Sequence, residues 1–353
     1  MMITVERTKN PKQKPQSDQL GFGKYFSDHM FICDYSPENG WHNARIVPYQ
    51  KLQIDPSVMT IHYGQSIFEG LKAYKTQDGQ INLFRPIENI RRLNASCERL
   101  CIPPIDEEFG LEAIIKLVDT DRDWIPDEDG TSLYIRPFIY ATEPHLGVRP
   151  SQTYSFVIIT GPVGAYYKEG INPVKIYVEP SYVRAVKGGL GEAKASANYA
   201  ASLMAQVEAN RKGYTQVLWL DGIEKKYIEE VGTMNVFFVI GDEVVTPELN
   251  GSILPGITRK SCVELLKSWG YNMNERRLSI QEVYEANEKG ILKEVFGTGT
   301  AAVISPVGEL NWGGNVITIN DGKTGPISQR LYDTLTGIQY GKLPDPFGWI
   351  VKV

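Results

Sequence analysis

Apolar and polar positions repeat along this chain with two periods, close to two in some stretches and close to 3.6 in others. Residues 57–74 begin extended and pass into the compact stretch IHYGQSIFEGLKAY, and 81–84 (INLF) alternate as a short strand does. From Pro86 to Cys101, Ile90, Leu93 and Cys97 fall at helical spacing, and Pro103 and Pro104 end the run. Residues 111–118 predict a second helix. Residues 132–140 and 154–160, rich in aromatic and β-branched side chains, predict strands. The stretch GPVGAYYKEGINP (161–173) is dense in Gly and Pro and reads as a linker. Beyond it, 174–178, 217–220, 236–240 and 244–246 are strand-like. Residues 198–211 predict a helix with Gly213 just past its end, 254–269 a turn feeding a helix, and 280–286 a further short helix.

Strands and helices are therefore mixed on both sides of 161–173, which predicts two domains of α/β or mixed α+β type. The length of 353 residues agrees, since a domain usually takes roughly 100–200. The boundaries that follow are a flexible leader over 1–21, a small α/β domain over 22–160, the linker over 161–173, and a larger domain over 174–353. No internal repeat or low-complexity block interrupts them.

Composition narrows the function. A net charge of -5 and the lack of a basic stripe exclude a phosphate-backbone grip on nucleic acid. No apolar run approaches the roughly 20 residues of a membrane span. The N-terminus lacks the apolar core of a signal peptide, so a cytoplasmic address is expected. The 4 His have no metal-ligand spacing, so no metal is expected. The 4 Cys read as reduced, buried thiols, with Cys97 and Cys101 on one helix face. A small-molecule partner remains.

Lys194 lies in KGGLGEAKASANYA, flanked by Ala193 and Ala195. A lysine amine attacks carbonyls when desolvation keeps it neutral, and small neighbours leave room for a flat ring. The same stretch starts like a dinucleotide fingerprint at Gly189 and Gly191, but Lys194 occupies the third glycine position. Glu229 and Glu230 precede a strongly apolar strand. They face solvent unless Glu230 points inward at a cation such as a pyridinium nitrogen. Two segments could cradle a phosphate: Pro255-Gly256-Ile257-Thr258 at a helix start, and the glycine- and threonine-rich VFGTGTAAVI. Arg92 could supply the counter-charge. Phe22, Tyr63, Phe68, Tyr134, Tyr166 and Tyr199 stand out among the aromatics, though none is diagnostic alone. Read residue by residue, these are the parts of a pyridoxal-phosphate site without proof that they converge.

Taken together, FGKYFSDHM, IHYGQSIFEGLKAY, FRPIENIRRL, SLYIRPF, TEPHLGV, YVRAVKGGLGEAKASANY, QVLWLDG, EEVGTMNVF, ILPGITR and VFGTGTAAVI resemble, in order and spacing, the branched-chain amino acid aminotransferases of pyridoxal-phosphate fold type IV. The similarity runs from about Phe22 to Tyr340. It implies a small α/β domain beside a larger pseudo-barrel domain that binds pyridoxal 5′-phosphate, in a homodimer. Lys194 would be the Schiff-base lysine and general base. Tyr199 would meet the ring hydroxyl, and Glu230 the pyridine nitrogen. Arg92, Ile257, Thr258 and Thr300 would hold the phosphate. Thr233 with the Thr300–Ala301 turn would receive the substrate carboxylate. Phe22, Phe68, Tyr63, Tyr134 and Tyr166 would wall the side-chain pocket, with Val148 reaching in from a partner subunit and Arg136 meeting the distal carboxylate of glutamate. The implied reaction moves the amino group of leucine, isoleucine or valine to 2-oxoglutarate, giving glutamate. Two departures stand out. The C-x-x-C pair of many animal members is replaced after Thr300 by Ala301, Ala302, Val303, Ile304 and Ser305, and Ala195-Ser196-Ala197 replaces a Gly-rich run, as in bacterial members. D-amino acid aminotransferases and aminodeoxychorismate lyases would share Lys194 and Glu230. A binding protein without cofactor is the alternative of another class.

Overall fold

The computed structural model describes residues 1–164 and 171–353. The chain divides into two compact units: Met1–Tyr166 with Ala193–Ala197 and Gly337–Val353, and Tyr167–Glu192 with Asn198–Thr336.

The first unit contains β1 (Thr4–Val5), β2 (His29–Ser36), β3 (Gly40–Pro48), α1 (Met59–Tyr63), β4 (Ser66–Phe68), β5 (Leu71–Lys75), β6 (Ile81–Phe84), α2 (Pro86–Arg99), α3 (Glu107–Thr120), β7 (Ser132–Ala141) and β8 (Tyr154–Val163). Its sheet runs β1-β3-β2-β8-β7-β5-β6 and ends on the C-terminal strand Ile350–Lys352, with β4 paired to β7. Helix α2 starts on Pro86 at its first position, where the missing N–H removes no helical bond. Its Ile90, Leu93 and Cys97 are buried against the sheet. Helix α3 is capped by Asp106, whose carboxylate accepts from Phe109 N at 2.9 Å.

Several boundaries differ from the sequence reading. The first residues are not a loose leader: β1 pairs with β3 in parallel, and Ile3 is buried. Thr8 N–H donates to His29 Nε2 at 2.8 Å, while His29 Nδ1 meets Asp121 at 2.6 Å. A polar leader thus supplies backbone donors to buried acceptors, which composition does not reveal. The linker begins later than residue 161, because β8 continues to Val163, and residues 165–170 lie outside the described residues. Residues 337–353 belong to the first unit, because the last strand completes that sheet beside β6. Cys101 does not share a helix face with Cys97: α2 has ended, Cys101 has φ 56°, and its side chain is exposed.

The second unit holds β9 (Val174–Val178), the latter part of α4 (Ser196–Ala201), α5 (Leu203–Arg211), β10 (Gln216–Leu220), β11 (Ile228–Val231), β12 (Asn235–Ile240), β13 (Glu243–Thr246), α6 (Ile257–Ser268), β14 (Asn272–Glu275), α7 (Ile280–Glu288), β15 (Leu292–Gly299), β16 (Val303–Trp312), β17 (Asn315–Thr318) and most of α8 (Pro326–Gln339). Its sheet runs β11-β10-β9-β16-β15-β12-β13-β14, with β17 on β16. One helix was expected over 198–211. The structure has two, interrupted at Ser202, whose hydroxyl donates to Tyr199 O at 2.8 Å. Such local side-chain bonding competes with the helical ladder.

Candidate functional site

In the first unit Lys194 sits on a short extended segment beside β4. Ala195 bridges Ile67 in antiparallel fashion, and Phe68 N–H donates to Lys194 O at 3.0 Å. Lys194 N–H donates to Ser96 Oγ on α2 at 2.9 Å. Ala193 and Ala195 are buried by this packing, so their small size serves the fit of the segment to its unit. The sequence reading had placed Lys194 in the domain 174–353. The backbone bonds to Phe68 and Ser96 explain why it clusters with the first unit instead.

Around Lys194 the sheet displays one chemically distinctive face. Residues opposed in an antiparallel ladder project to the same side. Phe68 opposes Phe138 and Lys72 opposes Tyr134, which places Phe68, Lys72, Tyr134 and Arg136 on one face. Lys194 Nζ stands 5.0 Å from the centre of the Phe68 ring, and the Arg136 guanidinium 4.7 Å from it. Arg136 Nη2 donates to Tyr134 Oη at 3.0 Å, and Phe22 packs edge-on against Tyr134 at 4.8 Å. Burial pushes the Lys72 amine down to about 8.

Behind Phe68 lies Glu69, with no exposed surface. Its carboxylate accepts from Arg92 Nε at 2.8 Å and Nη2 at 2.9 Å, and from Asn89 Nδ2 at 2.8 Å. Burial acts to raise the Glu69 pKa, but the charge and hydrogen bond of Arg92, the charge of Lys194 and the Asn89 bond together hold it lowered. Tyr63 and Val148 line another cleft of this unit, about 410 Å³, with Gln65, Arg99, Cys101 and Arg149. Tyr166 lies outside the described residues.

The second unit carries the remaining residues. Glu229 and Glu230 on β11 are both buried, so neither faces solvent. Glu230 Oε1 accepts from Leu254 N at 2.8 Å and pairs with Arg184 Nη2 at 3.2 Å. Arg184, its side chain only 9% exposed, also donates to the carbonyls of Gly191 and Ser252. Glu229 meets the Ser252 hydroxyl; burial pushes its carboxyl up, against the opposing effects of that bond and of Arg184. Neighbouring residues of a strand face opposite ways. Only Glu230 is therefore matched to the Arg184 charge by direct contact.

The turn after β11 is a tight hairpin, with Val231 and Met234 exchanging both backbone bonds at 2.9 Å. Gly232 adopts φ 57°, which glycine alone accepts without strain, and Trp219 Nε1 holds its carbonyl at 2.8 Å. Thr233 is thereby left exposed at the tip. Helix α6 begins after Gly256 with no side chain capping it, so the N–H groups of Ile257 and Thr258 have no acceptor within the helix. A Cβ on Gly256 would fall 1.9 Å from Asn235 Oδ1, which explains the glycine at this approach. Asn235 Nδ2 in turn holds Leu254 O at 2.9 Å. Thr298 opposes Asn235 across β15 and β12, and its buried hydroxyl has no hydrogen-bond partner. Thr300 and Ala301 form the turn from β15 to β16. Tyr199 is half-buried on α4, where Asn198 Nδ2 ties the helix to Leu190 O at 2.8 Å.

The structure thus joins Lys194, Phe68, Arg136, Tyr134, Phe22 and Arg92 within one unit. Glu230, Thr233, Ile257, Thr258, Thr300, Ala301 and Tyr199 lie in the other. Sequence reasoning missed Glu69, Lys72, Ser96, Arg184 and Asn235, whereas Thr298 lies in the threonine-rich segment VFGTGTAAVI that it had singled out as a phosphate cradle. The available signal was a charge embedded in an apolar motif: Glu69 and Lys72 lie inside IHYGQSIFEGLKAY and Arg184 inside YVRAVKGG. Among the described residues no helix is long and apolar enough to cross a membrane, and no group of His, Cys, Asp and Glu could hold a metal ion.

Comparison with known proteins gives this arrangement a context. Residues 66–310 match the family model for amino-transferase class IV. The chain is 61% identical over 351 residues to branched-chain-amino-acid aminotransferase 2 of Bacillus subtilis (strain 168), covering 99% of this chain and 97% of that protein. It is 58% identical over 353 residues to branched-chain-amino-acid transaminase 1 of the same strain, covering 100% and 99%. Among solved structures, the branched-chain amino acid aminotransferase of Escherichia coli is similar with a TM-score of 0.74 and 29% identity, over 92% of this chain and 98% of that one. A T.th. branched-chain amino acid aminotransferase with pyridoxamine 5′-phosphate is similar with a TM-score of 0.77 and 28% identity, over 94% and 98%. The two mixed α/β sheet units are accordingly those of fold type IV, and the chain belongs to the class IV branched-chain amino acid aminotransferases.

Proposed function

We propose that this enzyme transfers the amino group of leucine, isoleucine or valine to 2-oxoglutarate, reversibly and by a ping-pong route, with pyridoxal 5′-phosphate on Lys194. The observation that carries the reading is the position of Lys194: its amine stands over Phe68 while its backbone is clamped to β4 and α2. The donor set fits the cofactor. Helix α6 starts uncapped, an orphaned Thr298 hydroxyl stands beside the residue that shapes that start, and a buried carboxylate, Glu230, is held ready on β11.

Pyridoxal 5′-phosphate, when bound, supplies a conjugated ring that accepts the electron pair released at the substrate Cα. Arg92, the N–H groups of Ile257 and Thr258, and Thr300 bind its phosphate. Tyr199 meets the ring hydroxyl, and Glu230 stabilises a protonated ring nitrogen. Lys194 Nζ takes the proton from the amino acid Cα. Thr233 and the Thr300–Ala301 turn receive the α-carboxylate, while Phe22, Phe68 and Tyr134 wall the side-chain pocket. Apolar area favours the branched side chains by roughly 25 cal/mol per Å² buried. Arg136 receives the distal carboxylate of glutamate.

The same reading makes the protein a cytoplasmic homodimer, with Val148 reaching the pocket of a second copy. Ile61, Tyr63, Leu146 and Val148 support this: all four are exposed, Val148 by 83%, on one unit. Tyr63 lies with Val148 in one cleft and donates to Leu146 O at 3.2 Å, and a contiguous exposed apolar patch marks an interaction surface.

An amino-donor panel against 2-oxoglutarate tests the reading, with Lys194→Ala as control. Branched-chain L-amino acids are the expected donors, and Lys194→Ala is expected to lose at least about a thousandfold in rate. Borohydride reduction followed by peptide mapping should place the pyridoxyl adduct on Lys194. An adduct elsewhere, activity only with D-amino acids, or protein that stays colourless with the cofactor would each overturn it.

A further inference from the structure

We propose that Glu69 is a positioning residue that aims the Arg92 guanidinium at the cofactor phosphate, an inference resting on the reading that Arg92 binds that group. A fully buried carboxylate costs folding free energy unless it is paired and hydrogen-bonded. Glu69 has both: its two oxygens take Arg92 Nε and Nη2 at 2.8 and 2.9 Å. This two-point contact fixes the plane of the guanidinium as well as its location, which a single bond would not. Once the Nε edge is engaged by Glu69, the Nη1 corner is directed away from that carboxylate.

Glu69 is itself held. Asn89, three residues before Arg92 on α2, donates to Oε2 at 2.8 Å, and Gly70 N–H donates to the same oxygen at 3.2 Å. Glu69 N–H donates to Pro137 O at 2.7 Å on β7, and the preceding N–H, of Phe68, donates to Lys194 O. One backbone step of the chain therefore registers the guanidinium and the lysine against each other. Arg92 lies on α2 and Lys194 on a separate segment, which the bond from Lys194 N–H to Ser96 Oγ at 2.9 Å also ties to that helix, so the Glu69 step adds a second tether between them.

The test strips the full-length protein of cofactor and titrates it with pyridoxal 5′-phosphate and, separately, with pyridoxal, which lacks the phosphate. Binding is followed by absorbance. Glu69→Gln keeps shape and removes charge; it is expected to weaken the phosphorylated ligand on the order of tenfold and pyridoxal by at most about threefold. In an Arg92→Lys background the same change is expected to add less than about twofold, because the contact it acts through is already lost. Equal weakening of both ligands, or effects that multiply independently in the double variant, would overturn the proposal. If Glu69→Gln does not fold, Asn89→Ser loosens the carboxylate while keeping its charge. A smaller, phosphate-selective loss is then expected, and an unselective loss or none refutes the idea. Wild-type protein that binds pyridoxal 5′-phosphate at a residue other than Lys194 instead refutes the parent reading.

Discussion

Replacing Arg136 with methionine asks whether one pocket serves two kinds of side chain through a single removable cation. Methionine keeps most of the unbranched stem but removes the guanidinium that lies 4.7 Å over Phe68 and donates to Tyr134 Oη at 3.0 Å. Losing this charge-assisted hydrogen bond costs about 1.5–3 kcal/mol, and losing the ring contact about 0.5–1 kcal/mol. Both losses act on the empty pocket and so weigh equally on any substrate. A carboxylate partner adds about 1.5–3 kcal/mol that only glutamate can lose, a factor of roughly 10 to 150 in rate. Single-turnover absorbance measures the two half-reactions separately, with leucine and with glutamate as donor. The glutamate half-reaction should fall at least about tenfold further than the leucine one. Equal losses would refute the assignment, and a larger loss with leucine would reverse it.

Three further outcomes follow from buried charges. Lys72 has its amine pushed down to about 8 by burial from an ordinary 10.5, so the folded state disfavours its proton. The resulting penalty is fully present below pH 8 and is relieved as pH rises toward 10.5, where the unfolded chain releases the proton too. In urea unfolding, wild type should gain stability relative to Lys72→Met between pH 8 and 10.5; a constant difference would contradict this. Glu294 accepts from Ile327 N, Ser328 N and Ser328 Oγ at 2.9, 2.9 and 2.7 Å, and so caps the start of α8 from β15. Glu294→Ala should cost about 2–3 kcal/mol and lower the thermal midpoint by about 3–4 °C; a shift under about 1 °C would show the cap to be replaceable. Arg184→Met leaves the buried Glu230 without its charge partner, so it should cost several kcal/mol in the cofactor-free protein, on the order of 3–5, and unchanged urea stability would exclude the pairing.

The sequence by itself determined the locally encoded parts of this protein. Period and punctuation are near-neighbour properties, so INLF matched β6 over Ile81–Phe84, and Pro86 at a first helical position marked the start of α2. The ordered motifs, each short and contiguous, likewise carried the family, as the class IV match over residues 66–310 shows. Tertiary structure alone decided what depends on distant partners. The polar leader became ordered because His29 and β3 await it, and the last residues joined the first unit because β6 offers an unpaired edge. Glu69 and Arg184 were invisible as functional candidates because a charged residue declares its role only through the counter-charge it meets, 23 residues along the chain for Arg92 and further still for Glu230. Hydrophobic patterning specifies which face is buried, but the identity of the group buried opposite it is settled only when the chain has folded.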